Sequence, residues 1–309
     1  MRQPDGEQDW LARCPERLRD ALRACASGQA PANVALLKIL IAALDRDEAE
    51  RALRTAHEAA RSESERRRIA RALALLRENP QAFDTVKGVL RGVDHRGTAA
   101  TLDQGLAHWA AAFDRMAESS PEGSVALYAL GNPDLLRAVT AEIVDRLASW
   151  GLLGPERLVL DLGCGIGRLT QALSPLVGRV TGIDISPVMI DRARERCRGL
   201  PNVALRLSSG RDLEGFADAS FDLVVAADVF PYLVQTGPDL AAAHVAEAAR
   251  VLRPGGALVI LNMSYRNDPV RDLAELAALA ARSGLALARH GERDFTWWDA
   301  RTFQLIRPG

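Results

Sequence analysis

Apolar residues in the first third of the chain recur at the three-to-four-residue spacing of amphipathic helices. Residues 33–44 are almost entirely apolar and are expected to form a buried helix. The same periodicity predicts further helices at residues 17–25, 47–60, 62–79 and 83–93. Because no alternating strand pattern interrupts them, residues 1–97 are predicted to form an all-α N-terminal domain that serves as a lid, in substrate recognition or in dimerisation.

Two more helical stretches follow before the pattern changes. A hinge is expected at residues 94–97, and residues 98–124 are predicted to be a connecting helix and loop. Asn132 directly before Pro133 is a typical helix start, because the asparagine side chain can accept from open amides and proline suits the first helical position. A helix from Pro133 to about residue 150 is therefore expected.

From residue 158 onward, short apolar segments alternate with amphipathic helices. Strands are expected at residues 158–162, 179–185, 203–207, 220–228, 257–263, 285–290 and 302–306. The segment at 220–228 is apolar on both faces, as is typical of a central parallel strand. This alternation predicts an α/β fold with a doubly wound, mostly parallel sheet over residues 125–309.

Composition narrows the classes of function. The 309 residues carry a formal net charge of −1, so no overall positive field would attract nucleic acid or a membrane surface. No apolar stretch approaches the ~20 residues that span a bilayer, and the first nine residues lack the apolar core of a signal peptide. The four cysteines are scattered, which favours free thiols in a reducing compartment and a cytoplasmic location.

A strand, a glycine-rich turn and a helix start follow one another at residues 158–173. Gly163, Gly165 and Gly167 stand at alternate positions, where glycine lets the backbone turn tightly and approach a ligand. The amides of a helix start favour polar or anionic groups. The dinucleotide-binding motif G-x-G-x-x-G requires a third glycine at position 168, which is Arg168 in this chain. NAD binding is therefore the least favoured hypothesis.

The next predicted strand ends in an acid, Asp184, which could bind a ribose beside the glycine-rich turn. The two oxygens of Asp184 can accept both ribose hydroxyls. Capping does not explain this acid, because Ser186 already caps the following helix, which Pro187 opens. Ile185 and Met189 are then expected to enclose the adenine.

Four motifs agree in order and spacing with those of class I S-adenosylmethionine (SAM) methyltransferases. They are Asp161-x-Gly-x-Gly-x-Gly167, Gly-Ile-Asp184-Ile-Ser, Ser-Phe-Asp-Leu-Val224 and Leu-Arg-Pro-Gly-Gly256. The chain resembles this family over residues 125–309, without resembling a particular subfamily. The resemblance implies a seven-stranded sheet with its last strand antiparallel, SAM as cofactor, S-adenosylhomocysteine as product, and Asp161 and the three glycines as cofactor-binding residues.

The resemblance also implies contacts at both ends of the cofactor. Family members place an acid or amide after the third strand to contact the adenine edge, a place taken here by Gly210, Arg211 and Asp212. In small-molecule methyltransferases, the segment upstream of the glycine loop folds over the methionine end of SAM. Tyr128 is therefore the preferred ligand-facing aromatic before the loop, and a core tyrosine is the equal alternative.

The acceptor is expected at the carboxyl ends of the strands, where open α/β sheets bind ligands. Asp228 follows the fourth strand and is assigned to the cofactor. The next residues depart from the Asp/Asn-Pro-Pro-Tyr motif of amino methylases by one extra residue and a missing proline, which argues against DNA-adenine methylation. No catalytic group is assigned, and the candidates are Tyr128, Tyr232, Tyr265 and His108. No metal is expected, because no His, Cys and carboxylate cluster has ligand spacing.

The leading hypothesis is a SAM-dependent methyltransferase acting on an O or N atom of a small-molecule acceptor. RNA or protein methylation, with the N-terminal helical domain used for recognition, is the alternative enzyme. The arginine-rich residues 65–71 are expected to be a solvated helix face, and the near-neutral charge argues against nucleic acid. A SAM-binding regulator without catalysis is the non-enzyme alternative. A homodimer through the N-terminal helices and no membrane partner complete the expectations.

Overall fold

The computed structural model describes residues 9–91 and 101–309. The hinge expected at residues 94–97 and the predicted boundaries between residues 97 and 98 lie outside the described residues. Contacts within the chain define two compact units. The first comprises Met1–Gly92, Glu122–Val139 and Thr296–Asp299, and the second comprises Val93–Pro121, Thr140–Phe295 and Ala300–Gly309.

The described chain forms helices first and then alternating strands and helices. The helices are α1 (Asp9–Ala12), α2 (Glu16–Ser27), α3 (Ala32–Ala42), α4 (Arg46–Glu58), α5 (Glu63–Glu78), α6 (Ala82–Arg91), α7 (Leu102–Ser119), α8 (Pro121–Val125), α9 (Pro133–Ser149), α10 (Arg168–Leu173), α11 (Pro187–Arg196), α12 (Phe230–Thr236), α13 (Pro238–Val251) and α14 (Pro269–Arg282). The strands are β1 (Gly154–Leu162), β2 (Val177–Asp184), β3 (Val203–Leu207), β4 (Phe221–Ala227), β5 (Leu252–Leu261), β6 (Ala286–Glu292) and β7 (Thr302–Ile306).

Local capping signals set several of the helix ends. The Ser62 side chain accepts from the Glu65 amide and the Glu65 carboxylate accepts from the Ser62 amide, which forms a capping box at the start of α5. Asn132 Oδ1 accepts from the amides of Asp134 and Leu135 at 2.7 and 3.1 Å. The predicted starts of α5 and α9 are therefore confirmed.

The helical unit includes two segments from later in the chain. Asn33, at the start of α3, is 1% exposed. Its Nδ2 donates to the carbonyl oxygens of Tyr128 at 3.0 Å and Trp297 at 2.8 Å. The Tyr128 ring stacks on Trp298 with centroids 5.1 Å apart. The sequence places these segments with the methyltransferase domain, whereas the contacts group residues 122–139 and 296–299 with the N-terminal helices. The roles suggested for residues 1–97 stay predictions.

The second unit is built on one seven-stranded sheet with the order β3-β2-β1-β4-β5-β7-β6. Neighbouring strands from β3 to β5 are parallel, and β7 runs antiparallel to both β5 and β6. The predicted α/β sheet with an antiparallel last strand is confirmed. The central strands are apolar on both faces because helices cover both, and Leu160, Val224 and Leu258 are fully buried.

The strand order creates the place for a ligand. From β1 the chain winds outward through β2 and β3, and it then returns to β4 on the other side of β1. The carboxyl ends of β1 and β4 are therefore neighbours, with Leu162 opposite Ala226. Open α/β sheets bind ligands outside the carboxyl ends of strands at such a reversal. Among the described residues, no helix is both long and apolar enough to cross a membrane.

Two local features differ from the predicted elements. Residues 230–236, for which no element was predicted, form helix α12. This helix has only seven residues, too few to show a helical period in the sequence. The Arg253-Pro-Gly-Gly256 stretch lies within the start of β5, where the pairing with β4 is irregular, instead of forming a separate turn before it. Gly255 keeps the positive φ of 78° that such a sequence favours.

Candidate cofactor site at the glycine loop

The glycine loop connects β1 to α10 in a conformation that other residues adopt only with strain. Gly163, Gly165 and Gly167 have φ of 67°, 52° and 75°. A Cβ at Gly163 would lie 2.4 Å from Val229 Cγ2. A Cβ at Gly167 would lie 3.0 Å from Ala193 Cβ. The loop therefore packs closely against the chain after β4 and against α11, and it needs glycine at both positions.

The loop is tied to the end of β2. The Cys164 amide donates to the Ile183 carbonyl at 2.9 Å, and the Gly165 amide donates to Asp184 Oδ2 at 2.9 Å. Cys164 itself is 5% exposed. Burial raises the pKa of its thiol well above the ordinary value, so the thiol stays protonated. Cys164 thus fills a crowded turn and is a poor nucleophile.

Asp184 joins the two strands at the point where a ribose partner is needed. Its Oδ1 accepts from the Ser186 amide at 2.9 Å, while its Oδ2 holds Gly165. Ser186 Oγ accepts from the Met189 amide at 3.0 Å and caps α11, as predicted. Burial raises the pKa of Asp184 to about 6, against the lowering effect of these amides. Each carboxylate oxygen has a second lone pair that can accept a hydroxyl.

Asp161 connects the sheet to the helix that follows the glycine loop. It lies in β1, is 2% exposed, and its Oδ2 accepts from Thr170 Oγ1 at 2.6 Å. Burial raises the pKa of Asp161 to about 6, and the Thr170 hydrogen bond and the Arg168 charge act in the opposite direction. The structure thus shows Asp161 linking β1 to α10, and its contact with a cofactor stays a prediction.

The residues predicted to enclose adenine are partly brought together. Gly210 has a φ of 72°, and a Cβ there would lie 2.6 Å from Ile185 Cγ2. Met189 is 2% exposed, so its side chain is already packed. Arg211 forms an ion pair with Asp103 of α7. Asp212 Oδ1 accepts from the Glu214 amide at 3.2 Å. The adenine roles of these residues stay predictions.

Backbone strain marks the carboxyl ends of β4 and β5. Asp228 and Asn262, which follow these strands, have φ of 63° and 78°. Asn262 Nδ2 donates to Asp228 Oδ1 at 3.1 Å. A left-handed backbone conformation at a residue other than glycine costs energy that the surrounding structure must offset. Such residues cluster at functional sites. This geometry makes Asp228 a candidate contact for either ligand.

A cluster of aromatic rings lies beside Asp228. The Tyr232 ring meets Trp109 and Phe113 of α7 at 4.8 and 4.9 Å, and it meets Tyr265 at 5.8 Å. Burial raises the pKa of Tyr265 well above its ordinary value, and the neighbouring Asp228 carboxylate and Tyr232 raise it further. Burial raises the pKa of Tyr232, so its phenol stays protonated at neutral pH and is a hydrogen-bond donor more than a base.

Sequence reasoning placed neither Trp109 nor Phe113 at a ligand. The available signal was their spacing of four residues on one helix, which the core of a helical protein produces equally well. His108 is half-buried with its ring 5.1 Å from that of Trp109. Tyr128 belongs to the helical unit, where it packs on Trp298. The catalytic roles suggested for His108 and Tyr128, and the ligand contact suggested for Tyr128, stay predictions.

Known proteins resemble the chain across this site. Residues 160–260 match a family described as a methyltransferase domain. A demethylmenaquinone methyltransferase of Tropheryma whipplei is 39% identical over 107 residues, covering 35% of this chain and 42% of that protein. A 2-methyl-6-phytyl-1,4-hydroquinone methyltransferase of Synechocystis is 36% identical over 132 residues, covering 41% and 39%. The chain thus spans about two fifths of the length of these curated relatives.

Solved structures show the same kind of likeness. A SAM dependent methyltransferase from Aquifex aeolicus is 24% identical, covers 57% of this chain and 92% of that chain, and has a TM-score of 0.43. The assignment rests on the sequence motifs, the matched domain and the sheet order of this chain. Residues 160–260 therefore form a methyltransferase domain, and its motifs and sheet order are those of the class I SAM-dependent methyltransferases.

Proposed function

We propose that this chain transfers the methyl group of SAM to an oxygen or nitrogen atom of a small-molecule acceptor. The observation that carries the proposal is the buried carboxylate of Asp184, held against the Gly165 amide at the end of β2. A Cβ added at Gly163 or Gly210 would overlap a neighbouring side chain, so only glycine fits at these positions. Glycine is also the residue that lets a loop backbone approach a ligand closely. These residues fit the adenosine portion of SAM.

The reaction requires little covalent chemistry from the protein itself. SAM supplies a methyl group that its sulfonium already activates, for in-line displacement by the acceptor. The chain must bind both reactants, align them, and remove a proton from a hydroxyl acceptor. Asp184 and the glycine loop would hold the cofactor. Asp228 and Tyr265, which follow β4 and β5 and interact electrostatically, are the groups that we assign to the proton.

A small acceptor suits the ligand side of the sheet. Tyr265 is 48% exposed beside the half-buried rings of Phe113 and Tyr232, which offers an aromatic surface of limited extent. Aromatic and apolar surfaces with a few polar groups are typical of small-molecule sites. The relatives from Tropheryma and Synechocystis are named for quinone and hydroquinone acceptors, which supports the same class here.

The arginines of α5 give little support to RNA recognition. Arg68 donates Nε and Nη2 to the Ala26 carbonyl at 2.8 and 2.6 Å. Arg66 pairs with Glu63 at 3.4 Å, and Arg71 pairs with Glu78 at 3.8 Å. These side chains hold helices together or meet acids within their own helix. RNA or protein methylation and non-catalytic SAM binding remain the outcomes that the experiment must separate.

Calorimetric titration with SAM, S-adenosylhomocysteine and NAD tests the proposal. We expect both SAM compounds to bind, NAD not to bind, and Asp184→Ala to lose at least about tenfold in affinity, or about 1.4 kcal/mol. Asp191→Ala is the matched control, because this acid of α11 is 74% exposed and pairs with Arg194 three residues further along the helix. Failure of both SAM compounds to bind contradicts the proposal.

An acceptor screen then separates the enzyme classes. Release of S-adenosylhomocysteine is measured with small phenols, hydroquinones and amines, and in parallel with RNA and with protein substrates. Turnover confined to the small molecules supports the proposal. Turnover only with RNA or protein favours the alternative enzyme, and tight SAM binding without any turnover favours a regulator.

A further inference from the structure

The loop of residues 262–268, between β5 and α14, carries Tyr265, one of the two groups assigned to the proton. We propose that Arg266 is a positioning residue, which holds Tyr265 in place for the methyl transfer. It does so through ion pairs with Asp272 and Glu275 of α14. This inference rests on the proposed function, because it takes Tyr265 to act on the acceptor.

Arg266 ties the loop to α14 through a bidentate ion pair. Its Nη1 and Nη2 donate to Oε1 and Oε2 of Glu275 at 2.9 and 2.6 Å. Nη2 also donates to Asp272 Oδ1 at 2.7 Å. The hydrogen bonds from Arg266 lower the pKa of Glu275 to about 2, so the pair is charged at neutral pH. Two parallel bonds to one carboxylate fix the orientation of both groups as well as their distance.

Ser264 gives the loop a second attachment on the other side of Tyr265. Its Oγ donates to Asp272 Oδ1 at 2.7 Å. The same Oγ accepts from the amide and the Nε of Arg266 at 3.2 and 3.1 Å. Ser264 and Asp272 are 8% and 5% exposed. The residues directly before and after Tyr265 are therefore joined to one buried carboxylate.

The loop backbone is strained near both ends. Asn262 and Asn267 have φ of 78° and 57°. Such a conformation persists only where the surrounding structure holds it. The Asn262 amide donates to the Arg301 carbonyl at 2.9 Å, and its side chain donates to Asp228. The ion pairs of Arg266, the residue before Asn267, hold the other end.

This network is better explained by the geometry of Tyr265 than by folding stability. Tyr265 is 48% exposed, and its ring meets that of Tyr232 edge-on with centroids 5.8 Å apart. Burial therefore leaves much of its position to the backbone that carries it. Partly buried ion pairs are weak evidence for stability. A misplacement of about 1 Å at a reacting group, in contrast, can cost roughly 100-fold in rate.

Steady-state kinetics with the phenol, hydroquinone or amine that gives turnover test the inference. Arg266→Gln is expected to lower kcat by about tenfold, with the dissociation constant of S-adenosylhomocysteine within about twofold of the wild-type value. Arg266→Lys keeps the charge without the planar fork and should recover part of the rate. Arg271→Gln is the matched control and should keep the wild-type kcat. Arg271 is 60% exposed and donates to the same Glu275 carboxylate from within α14.

A double-mutant cycle separates positioning from a general loss of structure. In the Tyr265→Phe background, Arg266→Gln should lower kcat by less than about twofold, because the hydroxyl that it positions is already absent. An equal loss of kcat in both backgrounds overturns the inference. Asp272→Asn is the second variant if Arg266→Gln does not fold, because it keeps an acceptor for Ser264 and removes the charge that Arg266 meets.

Hydrogen exchange of residues 262–268 gives a readout that needs no acceptor. Arg266→Gln should speed exchange there by at least about tenfold, while residues 221–227 of β4 stay unchanged. Exchange that is unchanged by Arg266→Gln overturns the positioning role and leaves the proposed function standing. Absence of turnover by the wild-type chain with every small acceptor overturns the proposed function itself.

Discussion

Lowering the pH below about 6 is expected to weaken cofactor binding through the carboxylate of Asp184. Burial holds its pKa at about 6 instead of the ordinary 3.8. A ribose hydroxyl donates to the ionised carboxylate, so the protonated form binds poorly. At pH 5 only about a tenth of a group with this pKa is ionised, and affinity should fall about tenfold for each further pH unit.

Lowering the pH has opposite effects on cofactor affinity and on the contribution of these carboxyl groups to folding stability. The pKa of Asp184 and that of Asp161 are raised above their unfolded values, so their contribution to stability is present in acid and is lost as the pH rises through about 6. A shift of about two units corresponds to about 3 kcal/mol for each carboxylate at neutral pH. These two groups therefore do not unfold the protein in acid, and a loss of binding there reports on the site.

Calorimetry between about pH 4.5 and pH 8 measures the slope of log Kd against pH, with adenosine as a second ligand that lacks the amino-acid end of SAM. Asp184→Asn should bind weakly at every pH, with no slope. Asp191→Asn is the control and should keep a slope of one unit, because this acid of α11 is 74% exposed and pairs with Arg194. Affinity of the wild-type chain that stays constant down to pH 5, with the fold intact by circular dichroism, would refute the reasoning.

Three further changes test the fold and the acceptor side. Gly163→Ala should lower the unfolding free energy by about 1–3 kcal/mol and weaken SAM binding, because the new Cβ would overlap Val229. Gly199 has a similar positive φ of 83° but lies in open space. Gly199→Ala in the same denaturant series therefore measures the cost of the backbone conformation alone. Asn33→Ala should cost about 2 kcal/mol in urea unfolding by removing two buried hydrogen bonds, whereas Lys38→Ala, which breaks an exposed ion pair, should cost under about 1 kcal/mol. Tyr265→Phe should leave the SAM dissociation constant unchanged and lower kcat for the acceptor by roughly tenfold or more, and an unchanged kcat would remove this hydroxyl from the proton step.

Features that depend on neighbours in sequence could be predicted. Ser62 and Asn132 cap helices through amides two or three residues away, so a short stretch of sequence contains the whole interaction. The glycine loop and the acid of Asp184 follow the same logic, because each lies at the end of a strand that its own apolar residues define. The seven-stranded sheet with an antiparallel last strand came with the family resemblance and was confirmed, whereas the order of the strands was read from the structure.

Features that depend on distant partners could not be predicted. Asn33 bonds to a carbonyl 264 residues away, and nothing local to either segment signals that contact. The contacts of Asp114 likewise join α7 to Ser186 and Val188 at the start of α11, whereas the periodicity of α7 indicated only an apolar face. Periodicity and capping are local energies, whereas these pairings depend on packing summed over whole elements. The sequence by itself therefore predicted the fold class, the SAM cofactor and, as a prediction that still stands, Asp184 as the ribose partner, whereas the tertiary structure alone decided which helices and aromatic rings pack beside the glycine loop.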